Sequence, residues 1–216
     1  MNSIYIQTLA PVTKEPQVVG PNETPDWANP FVGRVVAVYI HRSNGRPIAL
    51  LPSEAAGVNL PQADVSVLGS EAELLTKTWA VLKDLERVQK EQLVTFNGRK
   101  HTVPFLYIRS FVNKVAIGSS ELLRDRYKAL SEHLDLMEAF TFHHITARPS
   151  LTQLMDLMKM SKPMMTEGKD LQGMLQMAVD MKSPAVWIVP ATSGLQYAEA
   201  IHMLATAWDK SLRPVY

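Results

Sequence analysis

The chain has 216 residues, with 21 Asp and Glu, six His and no Cys. Disulfides, thiolate zinc sites and a cysteine nucleophile are therefore excluded, and the redox compartment is left open. A metal-dependent enzyme needs only three or four acids, but they must converge. The first fifty residues offer only Glu15, Glu23 and Asp26. His143 and His144 are adjacent, whereas two metal ligands on one helical face are four residues apart. With no third ligand apparent, they read as surface or core histidines. There is no glycine-rich phosphate loop and no nucleophile-elbow sequence. Basic residues are more suggestive. Arg99, Lys100 and His101 form a short run, followed by Arg109, Lys114, Arg124, Arg126 and Lys128. Glu121, Asp125 and Glu132 dilute the run, so a solvated face and a nucleic-acid groove both fit it. Tyr107, Phe111 and Tyr127 could stack on bases, although core packing is the plainer reading.

Elements must hold these residues. Ile4 to Leu9 reads as a first strand. Pro11, Pro16, Pro21, Pro25 and Pro30 forbid a central strand or helix, so residues 10–31 form a long loop. It is a surface insertion in the plain reading and a flap or docking arm in the functional one. Val32 to His41 and Pro47 to Leu51 flank Ser43-Asn44-Gly45-Arg46 and predict a β-hairpin. Ser70 and Glu73 mark a capping box for a helix running to about Gln89. Gln92 to Phe96 is a buried-type strand broken by Asn97-Gly98. Helices are expected over Thr102–Val112, Ser119–Ser131, from Leu151 with Ser150 as cap, Lys169–Met181 and roughly Ser193–Asp209. This order predicts one α/β domain over residues 1–216, with a mixed sheet and a helical C-terminal half.

Ten of the eleven methionines follow residue 136. They suit an irregular core or an adaptable partner groove. The 22 Lys and Arg nearly balance the acids, for a formal charge of +1, so a general charge excess for nucleic acid is absent. The N-terminus lacks a signal-peptide pattern, and no apolar run reaches about 18 residues. The expectation is a cytoplasmic or other intracellular protein.

Leu93-Val94-Thr95-Phe96-Asn97-Gly98-Arg99-Lys100-His101-Thr102-Val103-Pro104-Phe105-Leu106 resembles the second motif of proofreading-type 3′–5′ exonucleases. The branch is that related to the exonuclease domain of family B DNA polymerases. Asn97, Gly98, Pro104 and Leu106 match; His101 stands at the family's Phe and Thr102 at its metal-binding Asp. Tyr5-Ile6-Gln7-Thr8 is similar to the opening Asp-Ile-Glu-Thr, with both acids replaced. The hairpin and the helix opening at Ser70 resemble the next elements. His133-Leu134-Asp135-Leu136-Met137 resembles His-x-Asp-Leu-Met, and Pro149-Ser150-Leu151, Lys162 and Gly168 follow the pattern. The last motif, Tyr-x-x-x-Asp, falls on Pro190 and Gly194, or on Tyr197 and Ile201.

The resemblance spans residues 3–210 and implies a ribonuclease-H-like fold. Family chemistry would remove nucleotides from a 3′ end with two metal ions held by four acids. Those places carry Tyr5, Gln7, Thr102 and Gly194 or Ile201 here, so Mg²⁺ or Mn²⁺ is expected only at a rebuilt site, such as one using Asp26, Asp135 and Glu199. Asp135 is expected instead to accept backbone hydrogen bonds at a helix start. The resemblance places Asn97, Arg99, Lys100, His101 and Arg109 toward a nucleic-acid substrate, with His133 and Asp135 as structural residues. The leading expectation is an inactive exonuclease-like subunit that binds single strands or 3′ ends in a larger assembly for replication, repair or defence. The alternatives are a protein-interaction scaffold, using the Met-rich half or the proline-rich loop, and an active nuclease with a relocated site.

Overall fold

The computed structural model describes residues 1–10, 28–86, 92–118, 133–141, 148–161 and 168–211. Most of the proline-rich loop, the helix expected over Ser119–Ser131, His143 and His144 lie outside these residues. So do Asp26, Arg124, Arg126, Tyr127, Lys128, Lys162, Met164 and Met165.

Among the described residues, six strands form one sheet. They are β1 (Asn2–Leu9), β2 (Arg34–His41), β3 (Ile48–Pro52), β4 (Asp64–Leu68), β5 (Leu93–Thr95) and β6 (His133–Asp135), in the order β4-β3-β2-β1-β5-β6. Strand β2 pairs antiparallel with β1 and β3, while the β1–β5, β5–β6 and β3–β4 pairs are parallel. The expected mixed sheet is therefore present, with the hairpin at β2–β3. Strands β4 and β6 were not expected. Strand β4 is half-buried, so its apolar signal is weak, and β6 has only three residues.

Alternation along β1 and β2 decides what covers each face. Ile4, Ile6, Val38 and Ile40 pack under α1 (Glu71–Asp84) and α2 (Thr102–Val112), through Leu74, Leu75, Leu82, Phe105 and Leu106. Leu9, Ala37 and Tyr39 face α5 (Gly168–Met181) and α6 (Pro184–Ser211), meeting Leu175, Trp187, Ala191 and Leu195. A third cluster joins Val94 and Leu134 to α3 (Leu136–Phe140), α4 (Leu151–Leu157) and the far half of α6. Burying each large side chain contributes roughly 1.5–3 kcal/mol before entropy is counted.

Local signals explain most boundaries. The Ser70 hydroxyl accepts from Glu73 N, but the Glu73 carboxylate reaches back to Gly69 N, one residue before the expected partner. Around α4 the reciprocal box is complete between Ser150 and Gln153. Helix α1 ends at Asp84, short of Gln89, and residues 87–91 are outside the described set. The largest departure is α6, which starts at Pro184 rather than Ser193 and runs through Pro190. Proline suits a first helical position, which explains Pro184. Pro190 costs one intrahelical bond, and burial of Trp187, Ala191 and Leu195 offsets that loss.

The methionines divide. Met137 and Met155 are buried in the core, whereas Met177 and Met181 are 49% and 59% exposed. Among the described residues, no helix is long and apolar enough to cross a membrane.

Candidate functional site

Strand β1 and helix α6 meet along matched lengths. The Ser3 hydroxyl donates to Ala198 O at 2.5 Å, and Gln7 Nε2 donates to Pro190 O at 2.8 Å. Four strand steps span about 13 Å and eight helical steps about 12 Å, so the elements stay in register. Between these bonds, Tyr5 stacks on Tyr197 at 4.2 Å between ring centroids.

Gln7 is fully engaged. Its Oε1 accepts from the Tyr39 hydroxyl at 2.9 Å, while its amide nitrogen donates to Pro190 O. Since a carbonyl only accepts, the amide orientation is fixed. Burial, and then the neighbouring Tyr5, push the Tyr39 hydroxyl well above its usual range. Tyr39 thus remains a donor at physiological pH. Its ring lies directly against Gly194, where any β-carbon would collide with the ring edge.

The β1–β2 ladder slips by one residue between Gln7 and Thr8, leaving Val36 as the extra residue of a bulge. Bulges re-aim side chains where a strand leaves regular pairing. Just beyond it, Thr8 Oγ1 approaches His101 Nε2 at 3.5 Å, which brings the start of α2 to this end of β1. Thr102 follows as the first residue of α2 and is buried. Burial lowers the His101 pKa to about 4, so the ring is neutral near pH 7. Gln7, the His101–Thr102 turn and the Pro190–Gly194 stretch therefore gather at one end of the sheet. Ile201 instead packs in the third cluster, with Val94 and Leu134.

The Asn97-Gly98 turn builds the neighbouring wall. Asn97 has φ 56°, a left-handed conformation that asparagine tolerates. Gly98 lies so close to the Thr95 side chain that a β-carbon has no room. Asp135 holds the turn by accepting from Asn97 N at 2.9 Å and Arg99 N at 2.8 Å, and it caps α3 through Met137 N at 3.0 Å. Burial pushes its carboxyl upward, and the Arg99, Asn97 and Met137 N–H donors pull it part of the way back. Its expected role as a backbone acceptor at a helix start is thus what the geometry shows. His133 is buried beside Thr95 Oγ1 at 2.9 Å. Burial, reinforced by Arg99, lowers its pKa to about 3.

The basic residues sit differently from the expected groove. Arg99 lies 3.1 Å from the buried Glu138 carboxylate and donates to His133 O. Arg109 donates twice to Glu71, at 3.0 and 2.7 Å, and Glu71 also accepts from Val35 N and Asn113 Nδ2. Each of these two guanidinium groups therefore faces a partner carboxylate inside the protein. Lys100 is exposed. Tyr107 and Phe111 are 45% and 82% exposed, which overturns the core reading for both. The sequence reading missed Tyr39, Glu71 and Glu138. The only cue for Tyr39 was an aromatic among the aliphatic residues of β2.

Among the described residues, no three His, Asp or Glu side chains cluster as metal ligands. A rebuilt site centred on Asp135 would compete with its three N–H donors, and Glu199 is exposed. Paired hard cations require charged oxygen ligands, and a set of Tyr5, Gln7, Thr102 and Gly194 does not fit them.

The mixed sheet, with its antiparallel hairpin and flanking helices, is of the ribonuclease-H-like class. A family model described as a predicted 3′-5′ exonuclease related to the exonuclease domain of PolB matches residues 39–179. The chain belongs to that family. A search of curated proteins finds no match. The matched segment includes Asn97, Thr102, His133 and Asp135. Tyr5, Gln7 and Gly194 lie outside it, so their family places rest on the motif resemblance and on their position in the fold.

Proposed function

We propose that this chain is an exonuclease-fold protein without two-metal catalysis, acting as a binding subunit for single-stranded nucleic acid or 3′ ends in a larger nucleic-acid-processing assembly. The observation that carries the first half is the Gln7 bridge between Tyr39 and Pro190. The side chain at the family's glutamate place is neutral and uses both ends of its amide internally. Tyr39 fills the space beside Gly194. A cation pair would have to displace a buried ring and would then meet no carboxylate among the described residues, which argues against an activated water and a stabilised leaving oxygen at this place.

Support for the binding half is narrower. No acid occurs between Glu91 and Glu121 in sequence, and the carboxylate that meets α2 from elsewhere, Glu71, is neutralised by Arg109, which limits repulsion of phosphate there. Among the described residues near the site, Lys100 is exposed, whereas Arg99 and Arg109 have carboxylate partners.

The test combines binding and cleavage. A fluorescent 3′-tailed DNA and an RNA of equal length are titrated at two salt concentrations, with Mg²⁺ or Mn²⁺, and the products are run on a gel. The expected result is salt-sensitive binding of intact strands. Shortening of the strand that is lost in Asp135→Asn would overturn the non-catalytic reading in favour of a rebuilt site. Absence of binding at low salt would favour a protein-interaction scaffold.

A further inference from the structure

Helix α2 is amphipathic in an unusual sense. Its inner face carries Thr102, Phe105, Leu106 and Ser110, all buried. Its one charged residue, Arg109, is paired with Glu71. At 100° per residue, Tyr107 and Phe111 fall within about 40° of each other on the opposite side. A surface helix ordinarily presents charged or polar residues there. Here Phe111 is 82% exposed and Tyr107 45%. Lys100 precedes the helix and Lys114 follows it, both exposed. Neither lysine side chain has an ion-pair partner among the described residues. The start of α2 touches β1 at Thr8, so this face begins beside the candidate site and leads away from it.

We infer that the outer face of α2 is a stacking platform for single-stranded nucleic acid, with two bases on Tyr107 and Phe111 and phosphates at Lys100 and Lys114. The inference rests on the binding reading above and names the surface that performs it. The two residues are offset by about 6 Å along the helix axis, roughly one turn. Aromatic faces accept any base, so the platform is tolerant of sequence. Cations at both ends with no acid between them match a polyanion and do not match an acid-free apolar peptide.

Four measurements test it. Tyr107→Ala and Phe111→Ala should each weaken binding of a single strand by on the order of ten-fold, with the melting temperature unchanged. An abasic strand of equal length should bind the parent protein as weakly as a normal strand binds the double variant. Lys100→Ala with Lys114→Ala should lower the slope of log K against log salt by about 1.4, at roughly 0.7 per phosphate contact. Phe111→Trp should retain binding, and its added fluorescence should be quenched on titration with strand. DNA and RNA arms show which sugar is preferred. If the parent binds strands but the alanine variants and the abasic strand bind equally well, the platform is wrong while the broader binding reading stands. If the parent binds no strand at low salt, both fall, and the exposed rings belong to a protein contact.

Discussion

The ring of Tyr39 occupies the place that a side chain at position 194 would need. Gly194 is therefore fixed by packing rather than by helix preference, because glycine costs about 1 kcal/mol relative to alanine inside a helix. Gly194→Ala is expected to destabilise the protein by about 1–3 kcal/mol through overpacking. Shrinking the ring in the second site, with Tyr39→Val, should recover part of that loss. A double-mutant cycle read by denaturant unfolding checks this, and strict additivity of the two changes would contradict the contact.

Restoring the acid at position 7 should not restore a metal site. In Gln7→Glu the carboxylate would face Pro190 O and lose the amide donor, with an expected cost of about 1–3 kcal/mol near neutral pH. Burial should raise the folded-state pKa of that carboxyl above its unfolded value. The penalty is then present above the folded pKa and fades as pH falls toward the unfolded one, where a protonated acid can donate to Pro190 O. Melting curves between pH 4 and pH 7 should show the variant approaching the parent only in acid. Isothermal titration with Mn²⁺ should give no heat beyond dilution.

Arg109 separates two roles by two readouts. Removing one partner of a buried ion pair costs about 3–5 kcal/mol. Arg109→Ala is expected near the lower end of that range, since Glu71 keeps Val35 N and Asn113 Nδ2. A guanidinium that contacted phosphate instead would weaken strand binding with little change in stability. The measurement is urea unfolding of the variant beside its strand affinity.

How much of this was legible in the sequence differs from residue to residue. The Thr102–Val112 helix was readable with Pro104 in its first turn, and the β2–β3 hairpin from its turn residues. Both signals are local. The family was readable because Asn97-Gly98 and His133-x-Asp135 each have a local job, one a left-handed turn and the other a helix cap that also holds that turn. The fate of Arg99 and Arg109 was not readable. Their partners, Glu138 and Glu71, lie 39 and 38 positions away, and a cation bound to a distant acid looks in sequence like one waiting for phosphate. The start of α6 was misplaced for a related reason: Pro190 is a local stop signal, overruled by burial against strands from the other end of the chain.

Two buried histidines should make the protein sensitive to mild acid. His101 and His133 have folded-state pKa values of about 4 and about 3, against 6.5 when unfolded. The unfolded chain therefore takes up protons first, and their contribution is complete above about pH 6.5 and lost as pH falls toward 4 and then 3. Where both act together, the slope approaches about 2.7 kcal/mol per pH unit. His101→Gln and His133→Gln should each flatten the dependence of unfolding free energy on pH between 6 and 4. A parent curve already flat in that window would contradict the burial of both rings.

The bond from Ser3 to Ala198 joins residues 195 positions apart. Strand β1 lies inside the sheet, yet one of its faces is covered by the last helix described. On a ribosome adding about 5–20 residues per second, β1 would emerge roughly 10–40 s before that cover exists. Until then the face of β1 that carries Ser3, Tyr5 and Gln7 is open to whatever else is in the cell. The nascent chain, more than the finished protein, is thus the form that exposes this surface.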